Sequence, residues 1–264
     1  QAGIHVVYGI IGFKTHTKIA LIVRKEKGSL RNYFHIGTGN YNSNTSRFYT
    51  DIGLLSTDPE IASDLIELFN YLSGYSKQKS YQKLLVSPSS LREKFIFLIN
   101  REIENSRKGR KAEIIAKMNS LVDPEIIELL YFASQKGVKI SLIIRGICCL
   151  YPQRKNISEN ITVISIIGHF LEHSRIFWFS NDENPEVFIG SADWMRRNLD
   201  RRIEAITPIE DLKLKSQLYN LLQTYMKDDY FSWIMKQDGS YEKKSFDKHK
   251  NRSQIDLVEG WQDY

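Results

Sequence analysis

Ile4-His5-Val6-Val7, an apolar run, a Phe and then Thr15-His16-Thr17-Lys18 is answered later in the chain by Ile161-Thr162-Val163-Ile164, an apolar run, a Phe and then Glu172-His173-Ser174-Arg175. His16 lies twelve positions after Ile4, and His173 twelve after Ile161. Downstream, Gly37-Thr38-Gly39-Asn40 is matched by Gly190-Ser191-Ala192-Asp193, and fourteen positions past each leading glycine stands a carboxylate, Asp51 or Glu204. A lone His-x-Lys is noise, whereas a histidine, a cation, a hydroxyl turn and a carboxylate repeated at matched offsets indicate a duplicated α/β unit. Two such units facing each other across a pseudo-twofold axis would close one pocket.

The chemistry of the repeated residues points to phosphate. Neutral imidazole is a nucleophile near pH 7, and once substituted it is a good leaving group, so it divides a group transfer into two easier steps. Side chains alternate along a strand, so Lys18 and Arg175 are expected on the same strand face as His16 and His173, aimed at one anion. The turns would hold phosphate oxygens through Thr38, Asn40 and Ser191 and through backbone N–H groups. A carboxylate would take the second imidazole N–H and fix the tautomer; the expectation is Asp51 for His16 and Glu204 for His173. Taken singly, each part has a plainer reading as a turn or a solvated charge. His5, His35, His169 and His249 lack the repeated context and are read as ordinary structural histidines.

Composition narrows the class. The chain has 264 residues and a formal charge of +6, with 37 basic against 31 acidic side chains and a sequence pI near 9.1. That balance favours polyanionic partners, namely nucleic acid, anionic lipid or inorganic phosphate chains. The two cysteines, Cys148 and Cys149, are adjacent, which argues against an unstrained disulfide and a secreted scaffold. No metal ligand spacing and no membrane-spanning apolar run are present, so the expected compartment is the cytoplasm.

Periodicity and capping give an α/β protein with mixed sheets. Strands are expected near residues 4–8, 18–24, 32–36, 83–87, 113–118, 138–144, 161–167, 175–180, 186–190 and 202–207. Helices are expected at about 59–73, 89–106, 124–136 and 210–226, two of them opened by Asp58-Pro59 and Asp123-Pro124. The linker Ser76-Lys77-Gln78-Lys79-Ser80 divides a first unit, 1–80, from a second, 81–235; residues 236–264, with Lys243, Lys244, Lys248, Lys250 and Arg252, are read as a mobile basic tail. Residues 84–160 precede the second motif, but only three precede the first. The first unit is therefore expected to be truncated at its N-terminus.

Longer stretches carry a family resemblance. Lys14-Thr15-His16-Thr17-Lys18, His35-Ile36-Gly37-Thr38-Gly39-Asn40-Tyr41-Asn42, Tyr49-Thr50-Asp51-Ile52-Gly53-Leu54, Asn119-Ser120-Leu121-Val122-Asp123-Pro124, Arg145-Gly146-Ile147-Cys148-Cys149-Leu150 and Gly190-Ser191-Ala192-Asp193-Trp194-Met195 closely resemble the C-terminal catalytic half of the long bacterial polyphosphate kinases, over roughly residues 1–230. The resemblance implies two phospholipase D-like α/β domains. It also implies reversible transfer of the ATP γ-phosphate to inorganic polyphosphate through a phosphohistidine. By resemblance His16 is the phosphorylated histidine, and His173 lies against the nucleotide phosphates. Tyr49 and Arg145 contact ATP, and Lys18 and Arg175 neutralise the transferring group. From the residues alone, Tyr49 would be core and Arg145 a surface ion pair.

Magnesium is expected with ATP rather than on a carboxylate cluster of this chain, where no metal ligands are read. ATP or ADP and polyphosphate are the expected partners, without nucleic acid. The full-length protein is expected to be a homo-oligomer, with peripheral membrane association left open. Three alternatives stand beside the kinase: a phospholipase D-type phosphodiesterase, a nucleic-acid module, and a polyanion-binding fragment inactive without its N-terminal domains. Phosphodiesterases of that type carry an Asp five residues after the cation, where this chain has Val23 and Ser180.

Overall fold

The computed structural model describes residues 3–77, 80–244 and 251–260. In the first unit β1 (Lys14–Thr15), β2 (Ile19–Glu26), β3 (Ser29–Gly37), β4 (Tyr49–Thr50) and β5 (Gly53–Ser56) are followed by α1 (Pro59–Leu72). Next come β6 (Leu85–Ser87), α2 (Leu91–Arg107), β7 (Glu113–Met118), α3 (Pro124–Gln135), β8 (Lys139–Ile144) and β9 (Ile161–Ile166). Then follow β10 (Leu171–Glu172), β11 (Ile176–Phe179), β12 (Glu186–Gly190), α4 (Arg196–Asp200), β13 (Arg202–Ile209) and α5 (Leu212–Lys227). Last among the described residues come β14 (Ser232–Met235), β15 (Tyr241–Lys243) and α6 (Ser253–Gly260).

Local chemistry accounts for the helix boundaries. Asp58 accepts from Glu60 N and Ile61 N at 3.0 and 2.9 Å, Asp123 from Ile126 N at 3.1 Å, and Asp211 from Leu214 N at 2.9 Å. These side chains satisfy N–H groups that a first turn leaves unpaired. Gly74 and Gly137, at φ +83° and +90°, take the left-handed conformation that ends α1 and α3.

A ten-stranded sheet runs β1-β13-β12-β11-β7-β8-β9-β14-β15, with β6 also on β13. The parallel strands β7, β8 and β9 are covered on both faces and are mostly apolar. One face packs under α2 and α3 around Phe95, Phe177 and Trp194, and the other under α5 around Trp178, Leu222 and Tyr225. The first unit has its own antiparallel sheet, β2-β3-β5, backed by α1. Its core joins Phe34, Ile36, Leu65 and Leu68 to Leu84, Val86, Ile203 and Ala205 from β13 and the β6 region. Because the two units share apolar side chains, sliding one on the other would uncover both.

The duplication extends to register. Ile19 pairs with Ile36 and Gly37 with Gly53 in the first unit, while Ile176 pairs with Ile189 and Gly190 with Ile206 in the second. Each pairing is the counterpart of the other under the sequence repeat.

Two expectations are corrected. Residues 4–8 form no strand, and Ile4 is 77% exposed. The matching segment β9 is held between β8 and β14, whereas residues 4–8 have no flanking strand among the described residues, and a strand needs neighbours for its backbone polar groups. The second correction concerns the tail. Its described part supplies β15, which pairs with β14 at the end of the large sheet, and α6, and Lys244 Nζ donates to Met226 O and Asp228 O at 2.6 and 2.8 Å. Lys248, His249 and Lys250 lie outside the described residues, as do Gln78 and Lys79 of the expected linker. The other expected elements agree to within three residues; the short pieces β1, β4, β5, β10, β14 and α4 had no pattern long enough to register.

Candidate active site

Each motif histidine sits one residue past a short strand that crosses to the other unit. β1 runs parallel to β13 with Thr15 opposite Ile203, and β10 runs parallel to β4 with Glu172 opposite Thr50. His16 N donates to Ile203 O at 2.9 Å, and His173 N donates to Thr50 O at 3.2 Å. One step further along, His16 Nδ1 meets Glu204 Oε2 at 2.9 Å and His173 Nδ1 meets Asp51 Oδ1 at 2.8 Å. The expected pairing of each histidine with its own unit's carboxylate is therefore wrong. The carboxylates are exchanged, because each motif strand docks beside the other unit's carboxylate-bearing segment.

The hydroxyls are also reassigned. Thr38 Oγ1 donates to Asp51 Oδ1 at 2.6 Å and accepts from Ile52 N at 3.0 Å. Ser191 Oγ donates to Glu204 Oε2 and accepts from Ala205 N at 3.2 Å. Both residues are buried, and their backbone N–H groups donate to Ile52 O and Ala205 O. Thr38 and Ser191 thus hold the carboxylates instead of cradling phosphate. A Cβ at Gly39 would lie 2.6 Å from Asp51 Cγ, so the glycine gives that carboxylate its room. Asn40 is exposed at the turn, while its counterpart Asp193 is buried and accepts from Asn119 N at 2.8 Å and Arg175 Nε at 3.2 Å.

The motif cations fold back on their own histidines. Lys18 Nζ donates to His16 O, and Arg175 Nη1 donates to His173 O at 2.8 Å and lies 3.1 Å from His173 Nε2. Residues 16–18 and 173–175 lie outside the strands. The expected shared face is replaced by this hydrogen-bonded hook. Burial pulls the Lys18 ammonium down to about 8; Glu204 opposes that shift and Arg175 and Arg202 add to it. Burial likewise lowers His173, against the bond to Asp51, with Arg175 and Lys18 contributing in the same sense as burial. Charges of both units thus act on each motif.

Tyr49 packs against His173, and Arg145 binds the backbone of the residue before it. The Tyr49 ring centroid is 4.9 Å from that of His173, tilted by 47°. Arg145 Nε donates to Asn119 Oδ1 at 2.9 Å and Glu172 O at 3.1 Å. His35 stands apart, 2.6 Å from Tyr41 Oη through Nδ1. Its ring fills the space over Gly53, where a Cβ would come within 2.1 Å of Nε2.

The sequence reading missed the support beneath His173. Lys117, in the middle of fully buried β7, has its Nζ 3.0 Å from Glu172 Oε2 and donates to Ser174 Oγ at 2.7 Å. A lysine within Ile114-Ile115-Ala116-Lys117-Met118 was the available signal, since a cation inside a buried strand requires a partner. No group of three or more His, Cys, Asp or Glu suited to a metal ion occurs among the described residues. Nor is any helix there long and apolar enough to cross a membrane.

Comparison with known proteins places this geometry. The family model for polyphosphate kinase C-terminal domain 1 matches residues 1–78, and that for C-terminal domain 2 matches residues 84–254. A polyphosphate kinase of Prochlorococcus marinus is 62% identical over 99% of this chain and 37% of its own length. One of Pseudomonas aeruginosa is 47% identical over 98% of this chain and 38% of its own. The crystal structure of polyphosphate kinase from Porphyromonas gingivalis superposes with a TM-score of 0.90 at 36% identity, covering 96% of this chain and 39% of that one. The chain thus spans little more than a third of the length of these proteins.

Proposed function

The chain belongs to the polyphosphate kinase family, and from that premise we propose that it carries the phosphoryl-transfer centre of an ATP:polyphosphate phosphotransferase with His16 as the nucleophile. The observation that carries the assignment is an asymmetry between the imidazoles. Glu204 holds His16 by Nδ1, and no hydrogen bond to His16 Nε2 occurs among the described residues; His173 Nε2 is met by Arg175. With its proton on Nδ1, His16 keeps the Nε2 lone pair for attack, and the buried carboxylate supports the positive charge that builds on the ring.

The transfer runs in two balanced steps. His16 Nε2 attacks the γ-phosphorus of ATP, the bond to the β,γ-bridging oxygen breaks, and ADP departs with that electron pair. A terminal oxygen of polyphosphate then attacks the phosphohistidine, and the N–P bond breaks to restore His16. Both the donor and the product bonds are phosphoanhydrides, so neither direction is strongly favoured and the reaction is reversible. Lys18 and Arg175 neutralise the equatorial oxygens of the loose transition state, a largely electrostatic form of catalysis. Tyr49, Arg145 and His173 are assigned to the nucleotide. Glu204 and Asp51 each spend one carboxylate oxygen on a histidine, and magnesium brought with the nucleotide would supply further charge neutralisation on its phosphates.

The test is incubation with γ-labelled ATP, magnesium and short polyphosphate, comparing the natural polypeptide that carries this sequence with its His16→Ala and His173→Ala forms. Acid-labile, alkali-stable protein phosphate that disappears in His16→Ala establishes the nucleophile. Hydrolysis of a model phosphodiester with no labelling by ATP overturns the assignment.

A further inference from the structure

The two histidines rest on strand pairs of unequal strength. β1 is one edge of the ten-stranded sheet, laid on β13, which β12 and β6 also hold. β10 and β4 form a separate two-stranded pair of two residues each. So short a ladder has little stability of its own, yet it sets the place of His173.

What reinforces it comes from the tail. Gln254, near the start of α6, is 3% exposed. Its Oε1 accepts from Phe170 N at 3.0 Å and its Nε2 donates to Phe170 O at 2.9 Å, so the amide grips that backbone as a neighbouring strand would. Nε2 also donates to Glu172 Oε1 at 2.7 Å. Glu172 Oε2 in turn accepts from Thr50 Oγ1 at 2.8 Å and faces Lys117 Nζ at 3.0 Å. Glu172 thereby ties β10 to β4, to β7 and to α6. In the other motif this position is Thr15. The clasp needs a glycine at 168, where a Cβ would fall 2.3 Å from Gln254 Oε1. It also needs α6 fixed, which Asp228 does by accepting from Ser253 N at 2.7 Å and Phe231 N at 2.7 Å.

We infer that α6 is a working part of the His173 half-site and that Gln254 is a positioning residue, acting through Glu172 to hold β10 in register on β4 and so to hold His173 on Asp51. Only the kinetic consequence rests on the phosphotransferase reading; the structural consequence is independent of it.

The experiment uses the natural polypeptide labelled with 15N-histidine, as wild type, Gln254→Ala and Gln254→Glu. The glutamate keeps the side-chain size but sets a second carboxylate against Glu172. In both variants the hydrogen-bonded Nδ1–H signal of His173 is expected to broaden or exchange at least tenfold faster, while that of His16 stays unchanged. Transfer should lose at least tenfold in kcat, with KM for ATP changed less than threefold. Where Gln254→Ala does not fold, Thr50→Val removes one bond to Glu172 without touching α6 and should give the same selective change at His173. Wild-type His173 signals in the folded variants overturn the inference. Selective loss at His173 in a protein that never transfers phosphate upholds it and overturns the phosphotransferase reading instead.

Discussion

The His16 and His173 half-sites are copies that have been buried in opposite ways. The His16 side chain is 20% exposed above a Glu204 that is fully buried, whereas His173 is 10% exposed on an Asp51 that is 23% exposed. The first arrangement sets a reachable imidazole on an enclosed charge, whose field is weakly screened. The second encloses the imidazole and leaves its carboxylate partly in water. Duplication gave both halves one register, and the difference in solvent access accords with the proposed division of labour between a nucleophile and a neutral partner.

The hardest test of that division is His16→Ala, which should abolish phosphoenzyme and lower transfer by about 10⁴-fold or more, with circular dichroism unchanged; the same loss of phosphoenzyme in His173→Ala alone would reverse the roles. Lys117→Met breaks a buried pair on the His173 side only. It should cost about 3–5 kcal/mol in chemical denaturation, and a midpoint within error of wild type would show that the pair does not support this half. Glu204→Gln and Asp51→Asn should each slow transfer by about 10²–10³-fold, but their NMR signatures should cross: Glu204→Gln perturbs the ring of His16, Asp51→Asn that of His173. Perturbation within the same unit would return the uncrossed pairing. Ser191→Ala and Thr38→Val each remove one bond to a carboxylate and should cost about tenfold in rate, without the change in polyphosphate affinity that a phosphate cradle would produce.

The smallest expected effect is on pH dependence. With Lys18 lowered to about 8 by burial, the free enzyme loses this cation as pH rises through about 8, and kcat/KM should fall on that alkaline limb. Lys18→Arg should flatten it. Stability responds oppositely: the unfolded chain keeps the Lys18 proton up to its ordinary value near 10.5, so burying this cation is unfavourable below about 8, and that penalty is relieved as pH rises toward 10.5. His173 has the same sign at lower pH. Its lowered value means that the unfolded chain takes up the proton first, so stability falls as pH drops below its ordinary value near 6.5. Urea midpoints measured across both windows check these signs.

Much of this was legible because it was written twice. The caps Asp58 and Asp123 act over three or four residues, and the buried strands β7 and β8 announce themselves by apolar runs. The helix α6 did not, because its decisive residue is a single glutamine whose partners, Phe170 and Glu172, lie more than eighty positions away. Residues 4–8 misled for the converse reason: they have the composition of a strand without a neighbour to pair with among the described residues.

The sequence by itself determined the repeated unit, the residue types of the site and their spacing from strand to turn to carboxylate, since each is a local property of a chain segment. Only the tertiary structure decided which carboxylate serves which histidine. That choice depends on β1 docking on β13 and β10 on β4, and a pairing between distant segments is fixed by shared core and backbone hydrogen bonds that no single stretch of the chain contains.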